Sequence, residues 1–352
     1  MLVRLAVSGG VDSMALAGLW ASMRRQVNDS PRVSAFIVDH DAREESAAEA
    51  RRVASALEDQ GISSHVLTLQ WPRYIQPPDL SNFESEARRL RYQALGRACR
   101  DADPRITSLF VGHHQDDQAE TVLMRLANGH RGIGLEGMRG SSDIPECHGQ
   151  YGVHASGDAR VTQGTALTHP SLRGMRTPFR IEGGGVRIYR PLLSFAKERL
   201  IATCEEQGMP WFEDATNQNP ALTPRNAIRQ LLASHHLPKA LQKASLLRLS
   251  ERMSTASARQ EKLSKHLLDA CHISSFDLRA GTLDFSLPRP LPLYIRQDEP
   301  QAREICAAFL RRLLDPVSPH DGITLAKLST AKLLDSVPPL AERSIMSTGM
   351  VE

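Results

Sequence analysis

The sequence predicts a doubly wound α/β fold with a mainly parallel sheet, followed by a smaller, mostly helical region. Three observations lead there. Short, near-continuous apolar segments alternate with helical periodicity over the first half of the chain, the pattern of buried parallel strands joined by crossover helices. A glycine turn, Ser8-Gly9-Gly10-Val11-Asp12-Ser13, runs from the first strand straight into a helix. A polar cluster, His113 to Thr121, follows a later strand in the same way. In such sheets ligands bind beyond the carboxyl ends of the strands, where both clusters fall.

Leu2, Val3, Leu5, Ala6 and Val7 form the first strand. Asp12 and Ser13 start the helix, and Met14, Leu16, Ala17, Leu19 and Trp20 continue it. Val33–Asp39 is a second buried strand, ending in Asp39-His40. The helix expected over Glu44–Gln60 puts Ala50, Val53, Ala54 and Leu57 on one face, and Gly61 stops it. His65–Leu69 is a third strand, and Trp71–Asp79, with three prolines, a loop. In an Arg-rich helix over Glu84–Arg100, Ala87, Leu90, Ala94 and Ala98 face the core while Arg88, Arg91 and Tyr92 look elsewhere. Ser108–Gly112 is a fourth strand and leads into a helix that ends at Leu126. Later, Val186–Leu193 is expected as a strand ended by Pro191, and Phe195–Gln207 as a helix with Gly208 past its end.

The turn has a chemistry of its own. Gly9 and Gly10 let the backbone bend sharply and approach a ligand. Free amides at the helix start, with the helix dipole behind them, make an anion site, and the hydroxyls of Ser8 and Ser13 can add hydrogen bonds. No lysine stands where a GxxxxGK(S/T) loop would carry one. The alternative is a tight turn with no ligand. SGGVDS between strand and helix resembles the PP-loop of the N-type ATP pyrophosphatases, which cleave ATP between its α- and β-phosphates.

Composition sets limits. At ~150 residues per domain, 352 residues suggest two domains. The boundaries expected are 1–230 for the α/β part and 231–352 for the helical part. Hydrophobic content of 41% supports real cores, and no apolar run nears the ~20 residues of a membrane span. A net charge of +3 permits nucleic acid without demanding it. The five cysteines lie far apart with no CxxC pair, which argues against zinc ribbons, iron–sulfur clusters and disulfides and for a reducing compartment. No signal or transit peptide precedes the first strand, so the expectation is a soluble intracellular protein of cytoplasm or mitochondrial matrix. The chain begins almost on that strand, and an N-terminal extension beyond this sequence is a further expectation. No oligomeric state follows.

In His113-His114-Gln115-Asp116-Asp117-Gln118-Ala119-Glu120-Thr121, adjacent histidines point in different directions and do not suit one zinc ion. Helix capping accounts for one of Asp116, Asp117 and Glu120. Together the acids could hold Mg²⁺ on ATP phosphates or receive a cationic substrate. Arg225-Asn226-x-x-Arg229 puts two arginines a turn apart on one helix face, suited to paired phosphate contacts or to a surface salt-bridge face.

The segments AVSGGVDSMAL, VDHDAREESAAEA, ESEARRLRYQAL, VGHHQDDQAETVLMRL, GIGLEGM, YRPLLSFAKERL and WFEDATNQNPALTPRNAIR occur in that order between Ala6 and Arg229. Together they resemble the tRNA(Ile)-lysidine synthetase family, ligases that join lysine to the wobble cytidine of an isoleucine tRNA. The resemblance implies that Ser8, Gly9, Gly10, Val11, Asp12 and Ser13 hold ATP, with Mg²⁺ expected alongside. It implies Asp39, His40, Asp116, Asp117 and Glu120 as the catalytic set, with His113 and His114 beside them. It places Arg91, Arg125, Asp214, Asn217, Arg225, Asn226 and Arg229 in or beside the substrate cleft. The implied partners are tRNA(Ile) and free lysine. Two segments depart from the family. Asp41 and Ala42 replace its usual Gly and Leu, and Asn128-Gly129-His130-Arg131 replaces RGSG. Gly140 to Gly185, rich in Gly, Ser, Thr and His, is expected as a flexible insertion. A tRNA thiolase and a non-catalytic tRNA-binding relative are the competing functions.

From Leu237 onward, helical spacing at Leu241, Ala244 and Leu247, then Arg252–Leu268, predicts a helical region. Short strand-like segments follow near Thr282–Phe285 and Leu293–Ile295, then a helix over Ala302–Leu314. Lys239, Lys243, Arg248, Arg252, Arg259 and Lys262 could meet tRNA backbone, or simply be solvated.

Overall fold

Strand β1 (Leu2–Val7) lies inside a six-stranded sheet because its side chains are apolar toward both faces over most of its length. It pairs in parallel with β2 (Arg32–Asp39) and β4 (Ser108–Val111). Outward lie β3 (Ser63–Thr68) beyond β2, and β6 (Arg187–Tyr189) then β5 (Ser141–Asp143) beyond β4, in the order β3-β2-β1-β4-β6-β5. Only β5 runs antiparallel. The computed structural model describes residues 2–27, 31–41, 45–71, 80–102, 108–147, 186–212, 224–234, 236–277, 282–287, 300–314 and 346–347.

Helices α1 (Val11–Gln26), α2 (Ser46–Asp59), α3 (Leu80–Ala102), α4 (Gln115–Ala127), α5 (Lys197–Gln207), α6 (Pro224–Ala233) and α7 (Lys243–Asp269) follow the predicted order. On one face of the sheet Val3, Leu5 and Val7 pack with Met14, Leu16 and Ala17 of α1, Val53 and Leu57 of α2 and Leu200 of α5. On the other, Phe36, Leu109 and Val111 pack with Tyr92, Leu95 and Cys99 of α3 and with Ile188. Two covered faces make the sheet doubly wound, as expected. Each fully buried Leu or Met contributes roughly 1.5–3 kcal/mol relative to exposure.

Part of the expected insertion is sheet. Ser141, Ser142 and Asp143 pair with Tyr189, Ile188 and Arg187, while Ile144 and Cys147 are buried in the second core. Three small polar residues show no apolar alternation, and it is pairing with β6 that makes them a strand. Arg187 also binds Asp143 at 3.4 Å and Ser141 Oγ at 3.3 Å. Residues 148–185 of that stretch, and the strand expected near Leu293–Ile295, lie outside the described residues.

By internal contact the chain divides into Met1–Ala155 with Gly184–Ser254, and Ser156–Gly183 with Thr255–Glu352. The second unit holds the antiparallel strands β7 (His272–Asp277), β8 (Thr282–Ser286) and β9 (Met346–Ser347) and helix α8 (Pro300–Leu314). Its core joins Leu267 and Cys271 to Leu283, Phe285, Phe309 and Leu313, with Phe285 and Phe309 edge to face at 6.0 Å. Among the described residues no helix is long and apolar enough to cross a membrane.

Candidate active site

The Ser8–Ser13 turn is built almost entirely from backbone. Gly9 has φ +87°, and a Cβ there would stand 2.6 Å from Val53 Cγ2, so conformation and space both require glycine. Ser13 Oγ donates to the Gly10 carbonyl at 2.9 Å, accepts the Ser8 amide at 3.2 Å and lies 3.3 Å from Ser8 Oγ. No side chain caps α1, so its first-turn amides remain free of a capping acceptor and suited to an anion. The Phe212 amide donates to the Gly9 carbonyl at 2.9 Å and anchors the turn from beyond α5.

Across from it, β4 delivers His113 and His114 to the start of α4. His114 is the N-cap: Nδ1 accepts the Asp116 amide at 3.1 Å, while Asp117 Oδ2 accepts the His114 amide at 3.0 Å. That pins the ring with its other nitrogen toward acids. Nε2 lies 3.5 Å from Asp12 Oδ2 and 3.6 Å from Asp117 Oδ2. His114 therefore bridges the glycine turn to the acidic helix. Burial works against its charged form, but the hydrogen bond to Asp12 and the charges of Asp117, Asp12 and Asp116 outweigh this and hold its pKa above the usual imidazole value. His113 is the opposite case. Burial pushes it down to about 3, against the pull of Asp117, with Arg190, Arg225 and Arg91 adding to the depression, and its Nδ1 is buried with no hydrogen-bond partner.

The two arginines, whose spacing suits phosphate contacts or a salt-bridge face, pair here with the α4 acids. Arg225 donates from Nε to Glu120 Oε2 at 2.8 Å and from Nη2 to Asp117 Oδ1 at 2.6 Å. Arg229 donates from Nε to Glu120 Oε1 at 2.8 Å and from Nη2 to Oε2 at 3.3 Å. Glu120 is 3% exposed with both oxygens occupied. Burial would raise the Asp117 pKa, but Arg225, then the two histidines and the His114 amide, hold it below the usual carboxylate value. Lys243 of α7 pairs with Asp116. The acidic helix start is thus neutralised by three cations from two later helices.

Asp39 is buried and orders its own loop, with Oδ1 accepting the Asp41 amide at 2.9 Å and Ser46 Oγ at 2.7 Å. Asp41 has φ +48°, a left-handed backbone that Asp tolerates better than most side chains. The His40 carbonyl accepts Trp71 Nε1 at 2.6 Å. Among the described residues no hydrogen bond or ion pair joins Asp39 to the α4 acids. Arg91 lies 5.1 Å from the Tyr92 ring centre. Arg125 donates to the Gly134 carbonyl at 3.0 Å, within the 3-10 turn Gly132–Glu136, and Asn226 is buried. Asp214 and Asn217 lie outside the described residues.

The sequence reading missed several residues that build this site. A Cβ on Gly112, at the end of β4, would stand 2.8 Å from the carbonyl of Asp12 and the nitrogen of Ser13. A glycine between strand and polar cluster was the available signal. Gln118, buried on α4, accepts the Met138 amide at 2.7 Å and donates to the Met138 carbonyl at 3.0 Å and Ser250 Oγ at 2.8 Å. Its partners are distant in sequence, and nothing local betrays them. Arg190 is 7% exposed and donates to the Arg139 carbonyl at 2.8 Å.

Among the described residues no three His, Cys, Asp or Glu side chains could hold a metal by themselves. Asp12 Oδ1, however, is buried at the turn without a hydrogen-bond partner. One such carboxylate beside bound phosphates fits Mg²⁺, which keeps waters and shares phosphate oxygens instead of filling a protein cage.

A PP-loop domain model matches residues 2–154 and 159–236. A probable tRNA(Ile)-lysidine synthase of Schizosaccharomyces pombe is 33% identical over 233 residues, 66% of this chain and 44% of that protein. The tRNA(Ile)-lysidine synthase of Hyphomonas neptunium is 34% identical over 72% of this chain and 55% of its own length. That of Bradyrhizobium diazoefficiens is 34% identical over 74% and 58% respectively. The chain spans about half the length of these curated relatives.

Proposed function

Because the chain belongs to the PP-loop domain family and is similar over about two-thirds of its length to tRNA(Ile)-lysidine synthases, we propose that it is an ATP-dependent ligase that joins lysine to the wobble cytidine of an isoleucine tRNA. In the first step the C2 carbonyl oxygen of the cytidine attacks the α-phosphate of ATP and pyrophosphate leaves. In the second, the ε-amine of lysine attacks C2, loses a proton and expels AMP.

The turn amides of α1 and the hydroxyls of Ser8 and Ser13 receive the phosphates, and Asp12 is the carboxylate that would hold Mg²⁺ against them. Bound there, Mg²⁺ would offset phosphate charge. The amine step needs a carboxylate that can receive an ammonium and take its proton. Glu120 is spent on two arginines, which makes it a positioning group for Arg225 and Arg229. Asp116 is better suited. Its pairing with Lys243, a primary ammonium on an alkyl chain, is the observation that carries this reading. His114 links Asp116 and Asp117 to Asp12, which keeps the two half-sites in register. Exposed Lys239, Arg248 and Arg252 suit tRNA phosphates. We propose 1–230 as the catalytic domain and 231–352 as a mostly helical region, whose Lys243 contributes a contact to the α4 acids.

The test is incubation of the full chain with an isoleucine tRNA transcript, ATP and lysine. Pyrophosphate release and a nucleoside heavier by one condensed lysine are expected. Pyrophosphate release without a lysine adduct would overturn the lysine assignment, and no release would overturn the ligase.

A further inference from the structure

The sheet carries a second polar feature at its opposite end. Arg4 interrupts the apolar run of β1 and is only 7% exposed. In register it stands beside Ser34 of β2, which stands beside Ser63 of β3, so the three share one rung and one face of the sheet. Arg32, two residues before Ser34 on β2, falls on the same face. These four, with Arg24 and Gly61, line a cavity of about 290 Å³ at the amino ends of the strands. The glycine turn and the α4 acids lie at the carboxyl ends, so the cavity is not part of the candidate active site.

Among the described residues, three guanidinium groups and no carboxylate line the cavity. Arg24 donates to the Gly61 carbonyl at 3.0 Å, and among the described residues neither Arg24 nor Arg32 pairs with an acid. Ser34, 2% exposed, has a hydroxyl with no hydrogen-bond partner. A buried hydroxyl without a partner costs free energy, and it lines the cavity where a bound oxygen atom would satisfy it. Planar guanidinium forks match the oxygens of a phosphate group in a way that lysine does not. The volume is near the lower bound of about 300 Å³ for small-ligand pockets, enough for a phosphate group or a diphosphate and too small for a nucleotide.

We propose that the cavity lined by Arg4, Arg24, Arg32 and Ser34 is a phosphate-binding site, distinct from the Ser8–Ser13 turn. The phosphate comes either from a free inorganic anion or from the backbone of a bound RNA.

The experiment uses the full chain with the turn first saturated by α,β-methylene-ATP, so that added phosphate reports on the second site alone. Inorganic phosphate and pyrophosphate are titrated by calorimetry into wild type, Ser34→Val and the double variant Arg24→Gln/Arg32→Gln. Both arginines lie at the periphery of the fold, so the double variant should fold, and α,β-methylene-ATP binding checks that. Wild type should bind one further anion, and the double variant about tenfold more weakly. In parallel, a single-stranded RNA oligonucleotide is titrated into both proteins over a range of salt. Weaker RNA binding with a shallower salt slope in the double variant assigns the site to RNA phosphate, and an unchanged RNA affinity assigns it to the free anion. No further anion in wild type, or equal phosphate binding by the folded double variant, overturns the proposal.

Discussion

The glycine turn and the acidic start of α4 face the same end of the sheet but are made from different materials. The turn is backbone: one left-handed glycine, a serine hydroxyl closing a ring onto Gly10, and no cap on α1. The acidic cluster is side chain: Asp116, Asp117 and Glu120 are held by Lys243, Arg225 and Arg229, whose positions lie more than a hundred residues further along. The turn is held chiefly by its own six residues and by the Phe212 amide on the Gly9 carbonyl. A side-chain-built site exists only once the later helices have docked, and its charges can be re-paired when a substrate arrives.

If that contrast holds, loss of chemistry and loss of stability should separate between the two regions. The largest effect expected is on turnover. Asp12→Ala should lower pyrophosphate release by at least about 100-fold, as loss of a preorganised charge-stabilising group does. It should cost stability only about 1 kcal/mol, since Asp12 caps nothing and the contact it loses is the 3.5 Å one to His114 Nε2. Steady-state release and a melting curve on the same sample check both halves, and near wild-type turnover would break the comparison.

Glu120→Gln should do the reverse. It leaves Arg225 and Arg229 facing a neutral amide in a largely buried spot, with an expected loss of about 3 kcal/mol. Half-exposed Arg229 keeps this at the low end of the range for buried pairs. Thermal unfolding would read it as a Tm lower by roughly 6–12 °C, while ATP binding to the turn persists. Unchanged stability would mean that the arginine clamp is dispensable.

The acidic region should also carry the pH dependence. His113 titrates near 6.5 when unfolded and is pushed down to about 3 in the fold. The unfolded chain takes up the proton first, so stability is lost as pH falls from 6.5 toward 3. Asp117, held low by Arg225, adds to the loss once pH drops below the ordinary carboxylate value. His113→Phe should flatten the upper part of this slope in urea unfolding measured from pH 7 to pH 4, and a slope unchanged by the substitution would contradict the assignment.

What could be read in advance follows the same division. The turn, the alternation of strands and helices and the double cover of the sheet rest on local patterns, and SGGVDS and the apolar strands disclose them. The reciprocal capping of His114 and Asp117 was half legible, since an acid three residues after an N-cap is a local signature. The destination of Arg225 and Arg229 was not. Their spacing shows that they share a helix face, but whether that face meets phosphate or carboxylate depends on which helix it packs against. Ser141–Asp143 escaped for a related reason, because a strand made by its neighbour's hydrogen bonds need have no apolar pattern of its own. Arg4 went unremarked because one charge in an apolar run does not disturb the strand assignment.

The smallest effect tests how exchangeable the side-chain cluster is. Lys243→Gln removes a half-exposed partner of Asp116 worth about 0–1 kcal/mol. If the Lys243 ammonium occupies the place of the substrate amine, the KM for lysine should fall by a few-fold while the KM for ATP stays put. Equal shifts in both would show that Lys243 only supports the fold.

The central claim, that the turn activates the base while Asp116 of α4 receives the amine, is tested most directly by measuring the two half-reactions separately in Asp116→Asn. Pyrophosphate release with tRNA and ATP alone should remain close to wild type, and lysine transfer to the activated tRNA should fall with a raised KM for lysine. Loss of pyrophosphate release with normal lysine affinity, partly restored by excess Mg²⁺, would contradict it and make Asp116 a metal ligand.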